Sequence, residues 1–182
     1  METYKLDIVG VKRELPLIYV GKHTRIASFS ILGDVELTDK LADRIADDLK
    51  NIEFDCLVGP EVKVVPLIHG VAKRLAHKRF IVCRKSIKSY MISPVKVVPL
   101  SHFPKHAKPL VINGDDAHLL KGKKVYILDD VVSTGITMRM IKYLMDKVGA
   151  EVVGYYSVFL QGTQFDKINN LTYMEKLPIF KE

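Results

Sequence analysis

From Leu37 onward the apolar positions recur at a spacing of four, Leu37, Leu41, Ile45 and Leu49. Ala42 and Ala46 lie beside them and charges stand opposite. That period predicts an amphipathic helix with one face on a sheet and Thr38 as its N-cap. FDCLV then reads as a short buried strand, GPEVKVV as a turn, and Pro66 as the first position of a helix running through Leu75. RFIVC repeats the strand signal. Arg84 to Lys124 shows no helical period and carries Pro94, Pro99, Pro104 and Pro109, so it reads as one long functional loop. VYIL is the next strand, followed by a helix bearing Ile136, Met140, Leu144, Met145 and Val148 and stopped by Gly149. VVGYYSVFL is a further strand. Met138, Met140 and Met145 read as core filling.

Strands alternating with helices imply an α/β fold: a central, mainly parallel sheet flanked by helices, with ligands at the carboxyl ends of the strands. Residues 1–34 do not follow this rhythm. LPLIYV alternates and IASFSIL is a second apolar patch, so they are expected to form a small N-terminal lobe on a single domain of 182 residues whose core is 35–182.

Charge adds a constraint. Lys and Arg number 28 against 21 Asp and Glu, a formal +7, which suits an anionic partner without choosing one. Cys56 and Cys83 each lie inside an apolar strand and read as core residues, not a disulfide or metal pair, in keeping with a reducing compartment. No window approaches the roughly 18 apolar residues of a membrane helix, and METYKLDIVG is no signal peptide, so the expected location is the cytoplasm, away from membranes. His69 and His77 are expected on helix or loop surfaces. His102 and His106 stand four apart, but Pro104 between them opposes a helical metal pair.

Candidate chemistry concentrates in VYILDDVVSTGITM, Val125 to Met138. Asp129 and Asp130 end an apolar strand, and Ser133 to Thr137 stand where a helix begins. Backbone N–H groups there suit a phosphate, Gly135 permits close approach, and the Ser133, Thr134 and Thr137 hydroxyls add donors. Paired carboxylates accept hydrogen bonds from ribose hydroxyls or hold a divalent cation among phosphate oxygens. The plainer alternative is a loop start followed by a helix cap. No Walker loop and no G-x-G-x-x-G is present.

The stretch resembles the phosphoribosyl pyrophosphate (PRPP) motif of the type I phosphoribosyltransferases: an apolar strand, two acids, two aliphatics, a small residue and T-G-x-T. GPEVKVVP resembles the pyrophosphate loop of that family, and CRKSIKSYM resembles the R-K-x-x-K run before its flexible loop. LPIF resembles the tail of the adenine-type purine members. The likeness covers roughly residues 35–182.

The resemblance implies Mg²⁺-dependent transfer of ribose 5-phosphate from PRPP to a purine base, adenine first and an oxopurine next, with pyrophosphate released in purine salvage. By it, Asp129 and Asp130 hold the ribose hydroxyls and are the candidate ligands of a Mg²⁺ carried by PRPP, and Ser133, Thr134, Gly135, Ile136 and Thr137 hold the 5-phosphate. Glu61, Val62 and Lys63 face pyrophosphate, while Arg84, Lys85, Lys88 and Tyr90 complete PRPP binding. Lys85 and Lys88 join the two aspartates as catalytic groups. Val131, Ile26 and Phe29 contact the base beneath an N-terminal hood, residues 86–110 form a lid, and the chain pairs as a homodimer.

The match departs from the family at two places. Between Tyr90 and Val111 there is no Asp or Glu, where a Tyr-Glu pair is usual, and TRIASFSILGD replaces F-R-D-I. Both departures bear on the base and not on PRPP. In the pyrophosphate loop Lys63 stands where arginine is frequent, which keeps the charge and loses the bidentate fork. A non-catalytic PRPP-sensing regulator is the alternative reading. Against it, no nucleic-acid-binding module is expected before residue 35, so nucleic acid is not an expected partner.

Overall fold

The computed structural model describes residues 2–101, 103–105, 107–162 and 168–181. His102 and His106 lie outside the described residues. The N-terminal segment forms three strands, β1 (Thr3–Ile8), β2 (Val11–Tyr19) and β3 (Thr24–Ala27). Val9 and Gly10 join the first two, both at positive φ (49° and 77°), the twist a two-residue hairpin turn requires.

Helix α1 (Val35–Leu49) buries Leu37, Leu41, Ala42, Ile45, Ala46 and Leu49, the face the period predicts. Its cap is Asp34, not Thr38. The Asp34 carboxylate accepts from Leu37 N, so the cap lies one turn before Thr38, and the Thr38 hydroxyl bonds back to the Asp34 carbonyl. Strand β4 (Cys56–Pro60) leads to α2 (Val65–Arg74), with Pro66 in its first turn. Strand β5 (Phe80–Cys83) follows.

The stretch expected to be one structureless loop contains β6 (Val95–Val97), β7 (Leu110–Ile112), paired as an antiparallel ribbon, and helix α3 (Gly114–Leu120). With only Ala117 and Leu120 buried, α3 is too short for a period to show. The Asn113 side chain caps it and also accepts from Ile92 N. Then come β8 (Lys124–Val132), α4 (Ile136–Val148, ended by Gly149 at φ +78°), β9 (Glu151–Gln161), β10 (Leu171–Leu177) and β11 (Ile179–Lys181). Strand β8 runs past both aspartates to Val132.

Two sheets organise the chain. Strands β10-β9-β8-β4-β5 form a five-stranded sheet, parallel throughout, and β1-β2-β3-β11 form an antiparallel one, so the last strand adds to the N-terminal sheet. One apolar core holds α1, α2 and N-terminal strand residues against Leu57, Leu128 and Phe159. The other holds α3 and α4 against Val58, Ile127 and Leu160. Met138, Met140 and Met145 are in the latter, and Cys56 and Cys83 are buried and free. Burial pushes the Cys56 thiol up to about 11 and Cys83 higher still, so neither is a ready nucleophile. His69 is exposed on α2, as expected. His77 is half-buried, edge-on to Phe54 at 4.9 Å, because the chain leaving α2 passes beside the residues that lead into β4. No described helix is long and apolar enough to cross a membrane.

Candidate active site

Because the large sheet is parallel, the carboxyl ends of four neighbouring strands lie at one end of it: Pro60 from β4, Cys83 from β5, Asp129 to Val132 from β8 and Gln161 from β9. Gly59 lets β4 lie tight on β8. A Cβ there would meet Leu128 O at 2.6 Å and Ile68 Cδ1 at 2.2 Å.

Asp129 and Asp130 are both buried (7% and 5% exposed), unusual for adjacent carboxylates. Each places one oxygen on the next backbone N–H: Asp130 N donates to Asp129 Oδ1 at 2.9 Å, and Val131 N to Asp130 Oδ1 at 3.0 Å. Burial first, and then the charge of Asp130, holds the Asp129 carboxyl well above the ordinary carboxylate range, while Lys63 opposes that shift. Asp130 Oδ2 is buried without a hydrogen bond and lies 3.5 Å from Lys63 Nζ. The same ammonium stands 3.5 Å from the Phe29 carbonyl. Lys63 thus joins the loop after β4, the end of β8 and the segment after β3.

A second cluster forms around Glu61, whose peptide bond to Val62 is cis. Its carboxylate accepts from Lys85 N at 2.8 Å and lies 3.2 Å from Arg84 Nε, while Glu61 N donates to the Cys83 carbonyl. Arg84 also pairs through its backbone with Val111 and lies 6.0 Å from the Tyr90 ring centre. Glu61 therefore fastens two loop starts together and neutralises Arg84, whereas Lys63 faces Asp130 and the Lys85 ammonium pairs with no carboxylate among the described residues. Lys88 turns its ammonium to Ser86 Oγ, and Val62 and Tyr90 are exposed.

The segment after β8 ends in Gly135 at φ +68°, from which α4 starts without a side-chain cap. A left-handed residue is natural there only for glycine. Its first turn leaves N–H groups without intrahelical acceptors, with the positive end of the helix dipole behind them. A cavity of about 200 Å³ brings Thr134, Ile136 and Thr137 together with Pro60, Lys85 and Lys108. Val131 is half-buried against the N-terminal core, Ile26 is half-buried in β3, and Phe29 packs edge-on to Phe159 at 4.7 Å.

Two residues of this region were not assigned to the PRPP or base site from the sequence, Lys108 being expected only as one of the groups of the acid-free lid. Lys108 carries no local signal, since only the chain's return beside α4 brings it to Lys85. Gln161 has one: an amide closing an otherwise apolar strand, VFLQ, buried with its side chain on the Ala27 carbonyl. Among the described residues no group of three or more His, Cys, Asp or Glu could by itself hold a metal ion.

Residues 32–179 match the family model described as the phosphoribosyl transferase domain. The chain belongs to that family. The phosphoribosyltransferase resembles the adenine phosphoribosyltransferase of Petrotoga mobilis, 32% identical over 128 residues that cover 68% of each chain. Among solved structures, adenine phosphoribosyltransferase from Thermoanaerobacter pseudethanolicus superposes with a TM-score of 0.65 at 22% identity, covering 80% of this chain and 84% of that one. The enzyme of that name from Leishmania donovani gives 0.69 at 18%, covering 96% and 76%. The type I phosphoribosyltransferase fold and the transferase class expected from VYILDDVVSTGITM are therefore established.

Proposed function

We propose that this phosphoribosyltransferase transfers ribose 5-phosphate from PRPP to adenine and releases pyrophosphate. The observation that carries the reading is that two cavities share Thr134, Ile136 and Thr137, one taking in Lys85 and the other the buried Asp129. A cationic end and an anionic end thus flank one helix start at the carboxyl ends of β5 and β8. The names of the relatives supply the base.

Breaking the anomeric C–O bond leaves positive charge on ribose and negative charge on departing pyrophosphate, so a site must stabilise both. Asp129 and Asp130 face the ribose in this reading, accepting from its hydroxyls. The Ser133 to Thr137 segment holds the 5-phosphate through N–H groups and hydroxyls. Lys63 and Lys85 neutralise pyrophosphate, with Lys88 able to join by leaving Ser86. Each charge-assisted hydrogen bond contributes about 1.5–3 kcal/mol before desolvation is subtracted. Ile26, Phe29 and Val131 supply an apolar slot for the base. Residues 86–110 shield the ribosyl centre from water.

The residues present fit Mg²⁺. Asp130 Oδ2 has lone pairs that accept no hydrogen bond, and two carboxylates without a third partner match an ion that completes its shell with water and phosphate oxygens. Bound there by Asp129 or Asp130, it would neutralise charge on pyrophosphate. A homodimer is part of the proposal, supported by exposed Ile87, Tyr90 and Ile92 on one loop.

The test is pyrophosphate release with PRPP, Mg²⁺ and a panel of purines and pyrimidines. Turnover with adenine is expected. PRPP binding without turnover of any base would replace the transferase with a sensor.

A further inference from the structure

Gln161 sits at the carboxyl edge of β9 with its side chain buried, and its Nε2 donates to the Ala27 carbonyl at 2.9 Å. A carbonyl accepts only from a donor, so this bond fixes which end of the amide is nitrogen. The oxygen is the other end, and among the described residues it accepts no hydrogen bond.

Three relationships place Gln161 in the site. Val131 and Phe159 are register partners in parallel strands, so Val131, Phe159 and then Gln161 share one face of the sheet. Phe159 on that face packs against Phe29, two residues beyond Ala27. Gly162 follows, and a Cβ on it would stand 3.8 Å from Ser133 O and 3.5 Å from Ile179 Cδ1, so the chain leaves β9 between the Ser133 turn and the N-terminal sheet. Gln161 is thus flanked by the segments that would hold the two ends of a nucleotide.

We propose that Gln161 determines base specificity: its NH₂ pins the Ala27 carbonyl and its oxygen accepts from the amino group of a 6-aminopurine. The inference rests on the transferase reading above and adds a reason for adenine that is independent of the relatives' names. A 6-oxopurine would set a carbonyl against the amide oxygen, two acceptors without a proton between them. A site built around such a hydrogen bond discriminates more strongly than an apolar slot.

The experiment compares kcat/KM for adenine and hypoxanthine, with PRPP and Mg²⁺, in wild type, Gln161→Leu and Gln161→Glu. Calorimetric affinities for AMP and IMP give the same ratio without turnover, and thermal unfolding confirms that each variant is folded. Wild type is expected to prefer adenine. Gln161→Leu should lose roughly tenfold of that preference. Gln161→Glu keeps an acceptor and loses the donor to Ala27, so it should weaken both bases while retaining the preference. A ratio unchanged in Gln161→Leu, or a wild type that prefers hypoxanthine, overturns the assignment alone. A wild type that turns over neither base overturns the transferase reading and this inference with it.

Discussion

Lys63 Nζ lies 3.5 Å from Asp130 Oδ2, and nothing else among the described residues compensates that buried oxygen. The distance is that of an ion pair and not of a good hydrogen bond, so the ammonium is held by charge and can be drawn away by a more negative group. PRPP brings such a group in the proposed reaction. Lys63→Met should lower kcat/KM for PRPP by roughly 10–100-fold, the loss of one charge-assisted contact. Lys63→Arg should restore most of it. In thermal unfolding the Met variant leaves Asp130 unpaired, so adding Asp130→Asn should cost less than the sum of the two single changes. Strict additivity would show that the two side chains do not interact.

Asp129 gives a prediction in which stability and activity move oppositely. Its folded-state carboxyl is raised by burial and by Asp130. Between the unfolded value, about 3.9, and the raised one, the folded state therefore binds more protons than the unfolded state, and stability falls as pH rises. Asp129→Asn removes that slope. The variant should unfold at a higher temperature than wild type near pH 7, with the difference shrinking toward pH 4. Its pyrophosphate release should fall at least about a hundredfold, consistent with loss of preorganised transition-state stabilisation. Equal unfolding temperatures at both pH values would show that the carboxyl is not strained by its site.

Asp34 behaves with the opposite sign. It caps α1 through Leu37 N and takes both Nε and NH2 of Arg13, and these contacts, Arg13 first, hold its carboxyl below the ordinary range. Its contribution is complete above the unfolded pKa and is lost as pH falls through the lowered one. Asp34→Ala should cost about 1–2 kcal/mol at pH 7, mostly from the cap, since a partly exposed ion pair is screened. As pH falls through that lowered pKa the two proteins should converge. Urea midpoints from pH 7 into the acid range measure the effect.

What was legible in the sequence followed from periodicity and from one dense motif. Leu37, Leu41, Ile45 and Leu49 fixed the face of α1, and VYILDDVVSTGITM placed carboxylates and a helix start on one strand edge. The sequence did not show what long-range pairing decides. Asp34 is held in its cap role partly by Arg13 of β2, and α3 buries only two side chains, too few for a period. The Lys63–Asp130 and Gln161–Ala27 contacts join segments that only the crossover topology brings together. Lys108 reaches the site for the same reason.

Gly59 tests how tightly the site depends on strand packing. A Cβ there would meet Ile68 Cδ1 at 2.2 Å, which a rotamer change can relieve, but also the Leu128 carbonyl at 2.6 Å, which belongs to β8 and cannot move without the sheet. Gly59→Ala should therefore separate β4 from β8 and cost about 1–3 kcal/mol. Glu61 and Lys63 follow Gly59 in the chain, while Asp129 and Asp130 follow Leu128, so the same separation pulls the proposed pyrophosphate and ribose ends apart. The PRPP KM should rise along with the fall in unfolding temperature. At Gly21 a Cβ meets nothing within 4 Å, and Gly21→Ala should change neither quantity. A Gly59→Ala protein that unfolds earlier but binds PRPP normally would show that the site does not register the spacing of these strands.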